Sequence, residues 1–103
     1  MIYNKLVRDK IPEIIESNGQ KAVYRILSDE EYRTYLEAKL DEEIGEYHRD
    51  KTPEELADIL EVVYALAATL GCSREKLMDI YQNKNAQRGG FEQRYLLIET
   101  QDM

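Results

Sequence analysis

From Leu56 the chain reads LADILEVVYALAATL, a run that ends at Leu70 just before Gly71. Plotted at helical spacing, this segment is apolar nearly all round, as expected of a helix covered on two sides. Leu56, Leu60, Val63, Ala67 and Leu70 form one face; Glu55, Asp58, Val62, Leu66 and Thr69 form another. Only Glu54 and Glu61 are positioned for water. A chain of 103 residues is one domain, residues 1–103, with no room for a second core. Two apolar faces on one helix in so small a domain predict that one packs internally and the other against a second subunit.

Start and stop signals divide the rest. Pro12 opens a short helix closed by Gly19, and Ser28 with Glu31 spells a capping box at the head of a long one. That helix is expected to run to about Tyr47 or His48. Thr52-Pro53 opens the apolar helix, Ser73 caps another that ends near Arg88, and Gly89-Gly90 stops it. Residues 21–27 (KAVYRIL) and 91–99 are rich in β-branched, aromatic and aliphatic side chains, and predict a small paired β element. The expected fold class is mainly all-α: a helical-bundle core completed by dimerisation, with that β element beside it.

Several classes fall away on composition. One Cys excludes an internal disulfide, and one Cys with one His excludes a Cys/His zinc site. The net charge of −7 argues against sequence-independent nucleic-acid binding. No apolar run of about 18 residues and no charged-then-apolar leader is seen, so the expectation is a cytoplasmic chain that neither spans nor binds a membrane. His48 is expected to be exposed, and Cys72 to pack at a helix junction.

The carboxylates are the anomaly. With Tyr32 of the long helix at zero on the helical wheel, Leu36 falls at about 40°, Leu40 at about 80° and Tyr35 at about 300°. Glu43 falls at about 20° and Glu46 at about 320°, inside that apolar arc, with Glu42 at its edge. Arg33, Thr34, Glu37, Ala38 and Asp41 supply the solvated face instead. Glu55 and Asp58, three apart, begin an otherwise non-ionic stripe on the next helix. An antiparallel pair joined by a short turn brings Glu43, Glu46, Glu55 and Asp58 together. Four anions among apolar neighbours need protons or a cation, and an all-oxygen shell suits a hard divalent ion, magnesium (Mg²⁺) above all when phosphates complete it. Chance alone spells EExxE in about one such chain in four, and Glu55 is also a good helix-start residue. The placement on apolar faces carries more than the spelling.

Two basic groups stand out against the acidic background. Lys84 and Arg88 continue the Leu77–Tyr81 stripe of the last helix, although cations near a helix C-terminus are favoured by its dipole alone. Lys5 and Arg8 form a second cluster near the N-terminus. Beside a carboxylate–metal group, both clusters would serve phosphate oxygens, which need cations from more than one side. Tyr32 and Tyr35 read as packing residues.

Glu42-Glu43-x-x-Glu46 followed by Glu55-x-x-Asp58 resembles the signature of the all-α nucleoside triphosphate pyrophosphatases, which include MazG, the dimeric dUTPases and phosphoribosyl-ATP pyrophosphohydrolase. The opening Tyr3-Asn4-Lys5-Leu6-Val7-Arg8-Asp9-Lys10-Ile11-Pro12 and the late Lys84-Asn85-Ala86-Gln87-Arg88-Gly89-Gly90-Phe91 look like a small MazG-like, house-cleaning branch. The eight-residue spacer between Glu46 and Glu55 is shorter than is common there. The resemblance implies a dimer and a Mg²⁺-dependent cleavage of a nucleotide between its α- and β-phosphates, with Mn²⁺ as a substitute ion. It implies Glu43, Glu46, Glu55 and Asp58 as metal ligands and gives Glu42, with Glu43, a catalytic place as ligand of a further ion or orienter of water. Lys5, Arg8, Lys84 and Arg88 would then bind the phosphates. The competing expectations are a phosphoribosyl-ATP pyrophosphohydrolase-like activity, a non-catalytic nucleotide binder, or a helical dimerisation module whose acids pair with Lys39, Lys84 or Arg88.

Overall fold

A computed structural model describes all 103 residues and contains four helices and no strand: α1 (Ile11–Ser17), α2 (Asp29–Asp50), α3 (Pro53–Thr69) and α4 (Arg74–Arg88). Helix α2 begins where the capping box predicts. The Ser28 hydroxyl accepts from the Glu31 backbone N–H, and the Glu31 carboxylate accepts from the Ser28 N–H. Arg25 clamps the same carboxylate through both terminal guanidinium nitrogens, at 2.8 and 3.1 Å, and pulls the Glu31 pKa down to about 2. Helix α2 runs two residues past His48, because Lys51 takes a left-handed turn (φ 51°) and its N–H closes on the Tyr47 carbonyl. Only Lys51 and Thr52 then separate α2 from α3, so the two helices fold back on each other.

The α2–α3 pair holds what core there is. Leu36, Glu43, Val62 and Ala67 are the buried residues, all on these two helices. On α3 the Glu55–Asp58–Val62–Leu66–Thr69 face is covered, whereas Leu56, Leu60 and Leu70 of the opposite face stand 51%, 47% and 82% exposed. Helix α3 ends at Thr69, Gly71 (φ 73°) turns the chain, and the Cys72 N–H bonds back to the Ala67 carbonyl. Helix α4 then leaves at a bend of 106°. Its contact with α3 includes the Arg74 guanidinium, 4.2 Å from the Tyr64 ring centre. No single helix is long and apolar enough to cross a membrane.

The β element expected from residues 21–27 and 91–99 is absent. Strands need partners for their backbone groups, and neither segment meets one. Residues 21–27 are instead tied to the head of α2 through Arg25. Residues 91–94 form a turn, with the Arg94 N–H on the Phe91 carbonyl and Arg94 itself left-handed (φ 60°), which interrupts the extended run. Val23, Ile26, Tyr95, Leu96 and Ile98 are all exposed. The outcome is a long molecule, 67 × 32 × 20 Å, with a radius of gyration of 18.5 Å. A compact domain of this length would have a radius of about 13 Å.

Candidate metal centre

The short α2–α3 turn sets the end of one helix against the start of the next. Glu43 and Glu46 reach from α2, and Glu55 and Asp58 from α3, so that one oxygen from each lies within 4.8 Å of the others. The four residues are those the i, i+3 spacing singled out. Glu43 is 6% exposed, and the other three are half-buried. Glu43 Oε2 and Glu55 Oε2 are sealed from water and have no hydrogen-bond partner.

The electrostatics express the crowding. Burial first, and then the neighbouring Glu46 carboxylate, push the Glu43 pKa above the ordinary carboxylate value, against the pull of Lys39. Glu55 is pushed up by desolvation, then by Glu46, with Asp50 and Asp58 adding to it. Groups in this state either keep their protons or share a multivalent cation. Two buried, unpartnered oxygens in a group made of four carboxylates alone match the all-oxygen donor set of a hard divalent ion.

Cations already border this group. Residues before α1 lie along the side of the helix pair, where Lys5 Nζ lies 2.9 Å from Glu42 Oε1 and Arg8 Nη2 lies 3.1 Å from Asp58 Oδ1. Lys39 Nζ lies 3.3 Å from Glu42 Oε2 and 3.4 Å from Glu43 Oε1. Both oxygens of Glu42 are therefore taken, and its pKa is drawn down, by the Lys5 hydrogen bond above all. The Lys5 pKa is raised by the same bond. Glu42 stands outside the four-oxygen group.

Beside the carboxylates lies an open cleft of about 380 Å³ between the N-terminal segment and the α2–α3 pair. Its apolar wall includes Leu6, Val7, Tyr32, Leu36 and Val62, and its polar rim includes Arg8, Lys39, Glu43 and Asp58. Lys5 and Arg8 thus reach the acidic region. Lys84 and Arg88 do not: the α3–α4 bend carries α4 aside, and both are exposed, outside the cleft lining and unpaired with any carboxylate. Of the pairings considered for a purely structural module, Lys39 makes its contacts and these two make none. Tyr32 faces the cleft and Tyr35 does not line it. The contacts of Arg8 with Asp58 and of Lys5 with Glu42 span 50 and 37 residues, and no local spacing announces them.

Fold and site together define a mainly α-helical protein whose acidic cluster can hold a metal ion. An uncharacterised protein of Mycolicibacterium smegmatis is 57% identical to the chain over 42 residues. That stretch is 41% of the chain and spans 43% of the relative's length. No protein-family model matches the chain, and no solved structure does.

Proposed function

We propose that the protein is a Mg²⁺-dependent nucleotide pyrophosphohydrolase, cleaving a nucleoside triphosphate or a related phosphorylated nucleotide between its α- and β-phosphates. The observation that carries this reading is the pair of buried, partnerless carboxylate oxygens, Glu43 Oε2 and Glu55 Oε2, inside a four-carboxylate group rimmed by displaceable cations. The resemblance of the acidic spacing and of both flanking motifs to the MazG-like pyrophosphatases supplies the reaction. House-cleaning of non-canonical nucleotides in the cytoplasm is the role that goes with it.

Glu43, Glu46, Glu55 and Asp58 would hold the ion. Bound there, Mg²⁺ would screen the phosphate charge, acidify water and stabilise the leaving pyrophosphate. The chain's own groups do the rest. The cleft is of a size for a nucleotide, since ligand pockets begin at about 300 Å³. Tyr32, Leu6 and Val7 line it where a base and sugar would lie. Lys5 and Arg8 bring positive charge from the N-terminal segment. Their ion pairs with Glu42 and Asp58 are largely solvent-exposed and worth about 0–1 kcal/mol each, so a polyphosphate can take the cations over at little cost. Glu42, released from Lys5 but still held by Lys39, is then placed to orient the attacking water. Water adds across the bridging P–O bond, giving a nucleoside monophosphate and pyrophosphate.

The exposed Leu56–Leu60 face and the elongated shape of the single chain support a homodimer as the working form. The test is pyrophosphate release from a panel of canonical and modified triphosphates, with phosphoribosyl-ATP included, in Mg²⁺ or Mn²⁺. Metal-dependent release from at least one supports the reading. Nucleotide binding without turnover favours a sensor instead. The Lys5–Glu42 and Arg8–Asp58 pairs also fit a structural module. That alternative predicts no metal-linked rise in melting temperature.

A further inference from the structure

The two oxygens of Glu43 are not equivalent. Oε1 lies 3.4 Å from Lys39 Nζ, whereas Oε2 is sealed from water with no partner. Lys39 precedes Glu43 by one turn of α2, is 16% exposed along its side chain, and lines the cleft beside Glu43 and Asp58. Its ammonium also lies 3.3 Å from Glu42 Oε2, and the other Glu42 oxygen is taken by Lys5. One lysine, three and four residues ahead of two adjacent carboxylates, therefore treats them differently. Glu42 has no free oxygen; Glu43 has one.

We infer that Lys39 is a positioning residue for the metal centre, pinning Glu43 by Oε1 so that Oε2 is kept for the ion, and holding Glu42 out of the coordinating set. The inference rests on the metal-binding reading of the four carboxylates and deepens it. A planar carboxylate fixed at one oxygen has its second oxygen's direction fixed as well. Contacts at i, i+3 and i, i+4 on an exposed helix are weak and mobile. Lys39 differs because its stem is packed and both partners are partly or fully buried, with side-chain exposures of 29% and 8%.

Two effects of Lys39 on the ion have opposite signs, which makes the inference testable. Its positive charge repels a divalent cation, so a mere counterion, once removed, would leave tighter metal binding. Its grip on Glu43 pre-orients a ligand, so a positioning residue, once removed, leaves weaker binding. Mn²⁺ titration by calorimetry on the full chain, at one pH, compares the wild type with Lys39→Met, Lys39→Gln and Lys39→Arg. Thermal melting of the metal-free proteins is recorded beside it. The expected result is a Kd for Mn²⁺ raised about tenfold or more in the Met and Gln variants, the size seen when outer partners of ligands are lost. Lys39→Arg, which keeps a donor in reach of Glu43, recovers most of the affinity. Recovery of the Mn²⁺ affinity by Arg but not by Gln, with the metal-free melting temperatures as the control, is a split that a general loss of structure would not produce. Should the Met variant not fold, the Gln variant carries the comparison. Unchanged or tighter Mn²⁺ binding in the neutral variants overturns the inference while leaving the metal centre standing. Absence of Mn²⁺ binding by the wild type overturns the metal centre and the inference with it.

Discussion

Glu43 is the residue where sequence pattern, burial and chemistry meet. It falls inside an apolar arc of α2, is buried, and ends in an oxygen with no partner. Replacing it with Gln keeps the volume and removes the charge. The expected outcome is a loss of turnover larger than the roughly 10–100-fold typical of outer-sphere partners, with metal-free folding retained or improved. Steady-state kinetics and melting curves check both halves, and Asp58→Asn should behave alike in turnover. A pH dependence follows from the same groups. Burial and then Glu46 raise the pKa of Glu43 and of Glu55 above their ordinary 4.5. A carboxyl that holds its proton more tightly folded than unfolded stabilises the fold at low pH, and that contribution is lost as pH rises through its folded value. The lowered groups Glu42 and Glu31 act in the opposite sense, but their contribution is already complete above 4.5. The melting temperature of the metal-free protein should therefore carry a component, owed to Glu43 and Glu55, that falls as pH rises from 4.5. The component should shrink in Glu43→Gln and in the Mg²⁺-loaded wild type. A wild type and Glu43→Gln with parallel pH profiles would contradict this assignment.

At the scale of the element, local signals placed the helices well. Ser28 with Glu31, Thr52-Pro53, Gly71 and Ser73 mark boundaries that the structure keeps to within about two residues, the usual scatter of helix ends. Ser28→Ala removes a bond to the Glu31 N–H and loosens the Arg25 clamp; it should cost about 1 kcal/mol, read in a urea melt. The acidic cluster was legible for the same reason, because i, i+3 spacing is local and the two-residue turn after Asp50 leaves α2 and α3 little choice but to face each other. What failed was non-local. Residues 21–27 and 91–99 have strand composition, but pairing depends on where the rest of the chain carries them, and Arg94 turns the second run aside. Lys84 and Arg88 share a stripe with Leu77, yet the bend after Gly71 decides what that stripe faces. Arg8 shows the converse, finding Asp58 across 50 residues. On the proposed reaction, Arg8→Ala should raise the nucleotide KM about 10–100-fold, the worth of a charge-assisted hydrogen bond. Metal affinity should hold or rise as Asp58 is freed. Parallel losses of both would assign Arg8 to structure alone.

The whole molecule is under-buried for its length. Few residues leave solvent, Leu56 and Leu60 of α3 stand about half exposed, and the shape is far from compact. Small domains gain most from burying such faces between copies. The double variant Leu56→Glu, Leu60→Glu should sediment as a monomer and melt at lower temperature, whereas the wild type should sediment as a dimer or larger. A wild-type monomer at micromolar concentration would remove the oligomer from the account without touching the carboxylates. Those carboxylates carry everything else, and anomalous scattering from crystals grown in Mn²⁺ tests them most directly. A strong peak is expected, bonded at about 2.1 Å to oxygens of Glu43, Glu46, Glu55 and Asp58, with Glu42 still on Lys39. A map without that peak, with Glu43 Oε2 and Glu55 Oε2 turned out to water, would contradict it.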